Sequence, residues 1–553
     1  MAQSGVPTCY TCFSHSTRHL NAMNLPFSSA TRALLRQSSL LALTLGWLFY
    51  IWHRNYNLLG DFYDYSVMAS GAGRLQEGLK PYRDFPTPLQ SLPLYFAYLC
   101  ERCLGAKYLS LAYANLLLGL SFFLVLVRLL RTELSFSLRL VVSAALCIST
   151  FFQHGIVWYN SIAIALATLV VILGARFASG RDGWLKTSAL CVVLVLSGMT
   201  KINFHFIAVA LAGLMLLGGW FARPGSFWTQ RWKLVAIVLA GTVSGPLLEI
   251  AINGCSPTEF FENVVLLPAG RASNFAQLFN GQLYLGKVYD FWADNFSDGI
   301  FVHAFLLYVV VFIAFWMGME GSRLSRIELV AVVFLPAAFV SSLALSVTNM
   351  ETQMLTSAFL MVGLLGIAVF SRSEATIAQR RATHAVLFVL AGFFVIAGSA
   401  SAYQHSRLRY GLGGWAMPGE IHRSEAVSAR LNTYLGGVNL TPIADLRMRE
   451  LDGFLVQHGI VGNTDKVYWC AGLEILNRVY GGLRGERLPL WYHQNVTVRS
   501  SDVPQISAEL DRRRCEWVFT DWTRELPPEL QNYFNRTYVR IDRKTFVAWH
   551  RRI

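Results

Sequence analysis

Charge is scarce in this chain of 553 residues: Asp, Glu, Lys and Arg make up only 14% of it, while hydrophobic residues make up 54%. A soluble globular chain carries roughly a quarter charged residues, so a fully water-exposed fold is excluded by composition, as the mean hydropathy of +0.41 also indicates. A disulfide framework is lacking too. Nine cysteines are scattered, and the C-x-x-C pairs Cys9/Cys12 and Cys100/Cys103 have no second pair to complete a zinc site. Only Cys470 and Cys515 share the tail region, where they could pair in an extracytoplasmic setting. No internal repeat is visible, and the first 30 residues show no cleavable signal pattern, so the first apolar run should remain as an anchor. Clustered basic residues are also missing. The net charge of +14 comes largely from short loops, which excludes a nucleic-acid groove as its explanation.

What is present is a series of apolar runs near the ~20 residues that cross a bilayer. They cover approximately 38–53, 108–127, 140–153, 160–175, 184–200, 203–221, 234–252, 299–318, 327–347, 353–370 and 385–401. A further run, Leu89–Cys100, is interrupted by Pro93 and followed by Glu101 and Arg102; it is too short to span and is expected to be re-entrant or interfacial. With eleven crossings, every second loop gathers basic residues: Arg128, Arg131 and Arg139; Arg176, Arg181 and Lys186; Arg223, Arg231 and Lys233; Arg323 and Arg326; Arg372, Arg380 and Arg381. Beyond the second crossing, the alternate loops hold only Lys201, Arg271 and Lys287. The positive-inside rule then places the N-terminus in the cytoplasm.

The expected architecture is an α-helical polytopic membrane protein of about eleven transmembrane helices with a C-terminal extracytoplasmic α/β domain. Its parts are a cytoplasmic segment 1–37, a transmembrane domain 38–402 with an outward loop 54–107, and the α/β domain 403–553. In that domain Lys466–Cys470 and Cys515–Asp521 read as strands and Pro504–Arg514 as a helix. Tyr538–Ile541 and Thr545–His550 form a hairpin about Asp542-Arg543-Lys544.

The first outward loop carries the acids. Phe62, Tyr65, Ala69, Ala72, Leu75 and Leu79 recur at helical spacing, which predicts an amphipathic surface helix over 61–79 with Asp61 and Asp64 on one face of its first turn. Acids at a helix start also serve as caps, worth about 0.3–1 kcal/mol when exposed. The loop continues G-L-K-P-Y-R-D-F and then Pro86-Thr87-Pro88-Leu89.

This order of parts resembles the GT-C superfamily of glycosyltransferases, in particular the bacterial protein-mannosyltransferase-like and aminoarabinose-transferase-like group. There an Asp, often Asp-Glu, precedes a G-x-x-P-Y segment, a P-P-L and a juxtamembrane helix. Asp64 lies 17 residues before Pro81 and takes the catalytic position, with Asp61 second. Tyr65 stands where the second acid is usual, and Pro-Thr-Pro-Leu where P-P-L is usual. The resemblance implies a GT-C-like catalytic domain, a polyprenyl-phosphate-linked sugar as donor and a lysine on the carrier phosphate, which Lys201 in S-G-M-T-K-I-N-F matches. A lysine at a helix end can also simply snorkel to the interface.

Further binding candidates are Tyr82 and Asp84 of the loop, Arg74 and Arg83 (phosphate contacts or headgroup anchors), Tyr159 and Asn160 (acceptor contacts, with Trp and Tyr also common in interfacial belts), and Glu351 beside Asn349. Asp290, Asp294 and Asp298 have a spacing that suits a divalent ion or a solvated helix face, so a metal cofactor stays open. The expected partners are the lipid-linked sugar donor, membrane lipids and a glycan, lipid or protein acceptor, with no nucleic acid. The expected activity is inverting sugar transfer at the cell membrane. A transporter or flippase of lipid-linked glycans, or a polymerase or ligase, is the alternative. The near absence of charge within the spans, Glu249 excepted, disfavours an ion-coupled transporter, because a mid-span charge costs roughly 2.5–3.5 kcal/mol on insertion scales.

Overall fold

The computed structural model describes residues 29–56, 58–59, 62–152, 155–180, 183–222, 230–269, 308–310, 331–341, 354–371, 376–407, 434–440, 442–483, 487–492, 497–521 and 526–552. The helices used below are α1 (Ser29–Asn55), α2 (Phe62–Gln76), α3 (Ser91–Leu104), α4 (Tyr108–Leu129), α5 (Phe136–Cys147), α6 (Tyr159–Ala178), α7 (Trp184–Gly198) and α8 (Ile202–Ala222). They are followed by α9 (Arg231–Leu239), α10 (Gly245–Asn253), α11 (Pro257–Phe261), α12 (Met354–Phe370) and α13 (Ile377–Arg407). Six helices among the described residues are long and apolar enough to cross a membrane, and four shorter apolar helices accompany them. Nine of the eleven expected runs coincide with described helices, and a tenth, 327–347, is described as helix over Ala331–Ser341. The run 299–318 falls outside the described residues apart from Tyr308–Val310.

Three π turns occur among the described residues, and the first two show how the freed backbone is satisfied without water. Ile148–Phe152 continues α5; the Phe151 carbonyl accepts from Asn115 Nδ2 at 2.9 Å. Ala240–Ser244 joins α9 to α10; the Gly241 carbonyl lies 2.7 Å from His205 Nε2. Such insertions bend a helix and need outside partners for the displaced groups. Beside the second, α7 and α10 touch through glycine. A Cβ on Gly245 would lie 3.1 Å from the Gly198 Cα and 3.2 Å from the Val195 carbonyl oxygen.

The helix expected over 61–79 is present as α2, but it does not lie on a surface. Residues 66–73 are buried all round, because the run Ala-Ser-Gly-Ala-Gly has no bulk to hold neighbours away. A Cβ on Gly71 would meet Leu94 at 2.6 Å, and one on Gly73 would meet Arg478 at 2.7 Å. α3 is the expected short helix. Its 14 residues reach roughly 21 Å at 1.5 Å each, short of the ~30 Å hydrocarbon layer. Pro93 sits in its first turn, where a missing N–H costs nothing.

The C-terminal region contains α14 (Pro442–Gln457), α15 (Leu476–Tyr480), α16 (Val503–Arg512) and α17 (Pro528–Thr537) around strands β3 (Val467–Cys470), β4 (Trp517–Asp521), β5 (Tyr538–Asp542) and β6 (Phe546–Arg551). The sheet order is β3-β4-β6-β5: β3 runs parallel to β4, while β6 is antiparallel to both of its neighbours. A second, two-residue pairing joins β1 (Leu58–Leu59) in parallel to β2 (Asn439–Leu440). Strand alternation divides the sheet's side chains cleanly. Trp469, Phe519 and Ala548 face one core, shared with Phe62, Met68, Ala72, Phe85 and Leu94 of the loop after α1. Tyr468, Val518 and Trp549 face another, with Ile506 and Leu510 of α16 and Phe534 of α17. The loop and the sheet are therefore packed as one body.

The pairing considered for Cys470 and Cys515 does not form; both are buried free thiols. The register explains it. Cys470 closes β3 opposite Thr520, whereas Cys515 precedes β4 and its Sγ lies 3.4 Å from the Lys466 carbonyl, at the other end of β3.

Candidate active site

Three elements converge near the ends of α6, α7 and α8. Thr200 closes α7 by donating its hydroxyl to the Leu196 carbonyl at 2.8 Å, and Lys201 follows in the short link before α8. Lys201 Nζ donates to the Asn160 amide oxygen at 2.6 Å. The same ammonium lies 5.0 Å from the Tyr159 ring centroid and 5.2 Å from that of Phe204. Asn160 is fully buried in the first turn of α6. An ammonium set between two ring faces gains cation–π attraction, about 0.5–2 kcal/mol depending on desolvation. Lys201, Tyr159 and Asn160, which are 41 and 42 residues apart along the chain, are brought together as one cradle.

The segment after α2 forms a second, stiff constellation. Lys80 N–H and the Arg83 guanidinium both donate to Asp84, at 2.8 Å for Lys80 N and 2.7 Å for Arg83 Nη2. The Arg83 bond is the main cause that holds the Asp84 carboxyl below its ordinary pKa. Lys80 Nζ reaches the Ile252 carbonyl at 3.3 Å, at the end of α10. Tyr82 adopts φ 67°, a left-handed conformation rare for a bulky residue. Its ring packs edge-on against Phe260 with centroids 5.5 Å apart, and burial pushes its phenol pKa well up.

Tyr82 is fixed by the Leu89 carbonyl, 3.0 Å from its hydroxyl, and by Glu249, a fully buried acid of α10. The Tyr82 hydroxyl is 3.0 Å from Glu249 Oε2. The same carboxylate accepts from Ser91 N–H at 2.9 Å, at the start of α3, and from Asn253 Nδ2 at 3.1 Å. One buried acid thereby ties the tyrosine turn, the short helix and a span together, with its lone pairs used as burial demands. Its signal in the sequence is its isolation as the one acid noted within the spans. One residue further along, Leu92 N–H donates to the Met199 carbonyl at 3.1 Å, two positions before Lys201. The tyrosine turn and the lysine cradle are therefore linked through the start of α3.

The other expected residues are distributed as follows. Asp64 lies in the first turn of α2, its side chain outside the described part; Asp61 and Glu351 lie outside the described residues, as do Asp290, Asp294 and Asp298. Arg74 is turned toward the C-terminal region, donating to the Leu488 and Pro489 carbonyls at 2.6 and 2.7 Å with Phe85 beneath it at 4.9 Å. Burial lowers its pKa from the usual value. Arg83 stays 43% exposed in its ion pair with Asp84. Among the described residues, no three His, Cys, Asp or Glu side chains gather as a metal site.

No family model matches the chain, and no curated protein sequence matches it. Among solved structures it is similar to the crystal structure of ArnT from Cupriavidus metallidurans bound to undecaprenyl phosphate. The two are 10% identical, with 94% of this chain and 98% of that chain covered and a TM-score of 0.46.

Proposed function

We propose that the chain is a multi-pass membrane glycosyltransferase that moves a sugar from a polyprenyl-phosphate carrier to an acceptor on the extracytoplasmic face. In this reading 38–402 is the catalytic membrane domain, and 403–553 lies outside the cell and covers the site. The carrier's isoprenoid tail stays in the bilayer, so its phosphate must meet protein at headgroup depth. The observation that carries the reading is the Lys201 cradle, a cation held by Asn160 and two aromatic rings at the junction of two apolar helices. Ionisable groups at such depth are functional candidates.

The chemistry follows from the assigned roles. Asp64 takes the proton of the acceptor hydroxyl as its oxygen attacks the anomeric carbon, with Asp61 as the second choice of base. The bond from that carbon to the phosphate oxygen breaks, and the bonding pair leaves with the phosphate, whose charge Lys201 offsets. Attack opposite the leaving group inverts the anomeric centre. General base action of this kind contributes about 10²–10⁴-fold, and a fixed cation at a developing phosphate charge contributes comparably. Arg83, paired with Asp84 at the tyrosine turn, is the second candidate cation for that phosphate.

Binding of a long-chain polyprenyl phosphate to the protein in nanodiscs tests the cradle directly. Lys201→Met is expected to weaken binding by about tenfold to a hundredfold, the worth of a charged hydrogen bond, while folding is preserved. Equal affinity in the variant reduces Lys201 to a snorkelling residue and removes the support for the proposal.

A further inference from the structure

A cavity of about 320 Å³ opens where the tyrosine turn, the segment after α11 and the C-terminal region meet. None of its lining residues belongs to the lysine cradle, yet Tyr82 forms part of its wall, and behind Tyr82 stands the Glu249–Ser91 linkage that leads back to Lys201. Two of the four non-glycine residues with left-handed backbone among the described residues, Tyr82 (φ 67°) and Arg487 (φ 68°), both stand on this wall. They are joined through Asp84, whose carbonyl accepts from Arg487 N–H at 2.6 Å. Backbone held in such conformations tends to collect at ligand sites, where the surroundings over-determine it.

The chemistry of the wall narrows the ligand. Ten of its sixteen residues are polar or charged, which disfavours a lipid chain. Three arginines face four carboxylates, a sum of −1 that disfavours an anion. The charges are moreover largely matched internally. Arg83 pairs with Asp84 at 2.7 Å and Arg499 with Asp502 at 3.2 Å, while Glu259 caps Ser256. Asn263, Thr497 and the exposed Arg487, Glu262 and Gln505 are the remaining polar residues of the wall, offering donors and acceptors with no net charge among them. A neutral ring bearing several hydroxyls, each able both to donate and to accept, fits such a surface, and the volume lies at the lower end of small-molecule sites.

We propose that this cavity holds a neutral pyranose unit of the acceptor, so that the group receiving the sugar belongs to a neutral glycan rather than to a phosphate or a protein side chain. The proposal rests on the glycosyltransferase reading and names its acceptor class. The test is saturation-transfer NMR on the full-length protein in nanodiscs, with the methyl glycosides of glucose, mannose and galactose as probes and methyl glucuronide as the anionic comparator. At least one neutral glycoside is expected to bind saturably in the millimolar range, more tightly than the glucuronide. The double variant Glu262→Gln/Gln505→Ala, both exposed positions, should weaken that binding by about fivefold or more and leave polyprenyl phosphate binding as in the parent. Absence of saturable binding by any neutral glycoside, equal or tighter binding of the glucuronide, or unchanged affinity in the double variant overturns the proposal. Polyprenyl phosphate binding in the same preparation is read separately: its loss in the parent protein defeats the donor reading, whatever the cavity does.

Discussion

Removing Arg478 exposes the physics of the contact between the C-terminal region and the membrane-level loop. Arg478 of α15 reaches across to Glu101 of α3, whose side chain is 0% exposed against 16% for the arginine. Gln76 Nε2 and the Tyr434 hydroxyl also donate to Glu101, each at 2.8 Å, and the guanidinium lies 4.9 Å above the Tyr434 ring. In Arg478→Met the carboxylate stays buried without its cation. Breaking one side of a buried pair costs about 3–5 kcal/mol, which lowers the melting temperature of a chain of 553 residues by about 3–4 °C. Thermal unfolding in detergent measures this. The double variant Glu101→Gln/Arg478→Met, having no charge left to strand, should recover most of the loss.

The loss should also depend on pH. Burial, the largest influence on Glu101, holds its carboxyl pKa above the usual carboxylate range even with Arg478 present. The native state therefore binds this proton more tightly than the unfolded chain. Its contribution to stability is present at low pH and is lost as pH rises through the native pKa. Without Arg478 that pKa rises further, so the variant's deficit should be larger at pH 8 than at pH 5. A deficit under about 1 kcal/mol, a double variant no better than the single, or a deficit that grows on acidification refutes the reasoning.

Two further outcomes follow from the same contacts. Glu249→Leu leaves the Ser91 N–H without an acceptor, while the Tyr82 hydroxyl keeps the Leu89 carbonyl at 3.0 Å and Asn253 Nδ2 keeps the main-chain carbonyl of residue 249 at 2.9 Å. At about 1–3 kcal/mol for the one stranded group, the tyrosine turn should open more often, seen as tryptic cleavage after Arg83 accelerated by about tenfold; an unchanged rate counts against the clamp. Gly245→Ala should destabilise by about 1–3 kcal/mol, because the added Cβ meets the backbone of α7. Gly213→Ala, where a Cβ meets nothing within 4 Å, should be neutral or stabilising in the same melting assay, and equal losses at both glycines would show that helix contact is not the cause.

Local patterns were legible where one chain segment determines its own structure. The hairpin about Asp542–Lys544, the helix Val503–Arg512 and the strands at Val467 and Trp517 lie within two residues of their expected places, since alternation and turn residues there suffice. The short helix α3 was legible through its length and Glu101. The surroundings of α2 were not. Helical spacing reported its period, but only the approach of Leu94 and Arg478 onto Gly71 and Gly73 shows why it is buried on every side. The β1–β2 pairing spans 381 positions from Leu58 to Asn439 with two residues per strand, too few to display a period of two. Glu249 was noticed for its isolation, while its partners at Tyr82 and Ser91 lie 167 and 158 residues away, beyond the reach of any local pattern. Lys201, Tyr159 and Asn160 were separate candidates whose common cradle became visible only in three dimensions.

The central claim is sugar transfer from a lipid phosphate, and release of the carrier measures it most directly. Purified protein is incubated with polyprenyl-phosphate-linked sugars and cell-envelope acceptor material, and free polyprenyl phosphate is quantified for the parent and for Asp64→Asn. The account predicts carrier release by the parent and a loss of about 10²-fold or more in the variant, with insertion and polyprenyl phosphate binding retained. Activity preserved in Asp64→Asn but lost in Asp61→Asn moves the base by three residues; no release by the parent from any polyprenyl-phosphate sugar contradicts the account.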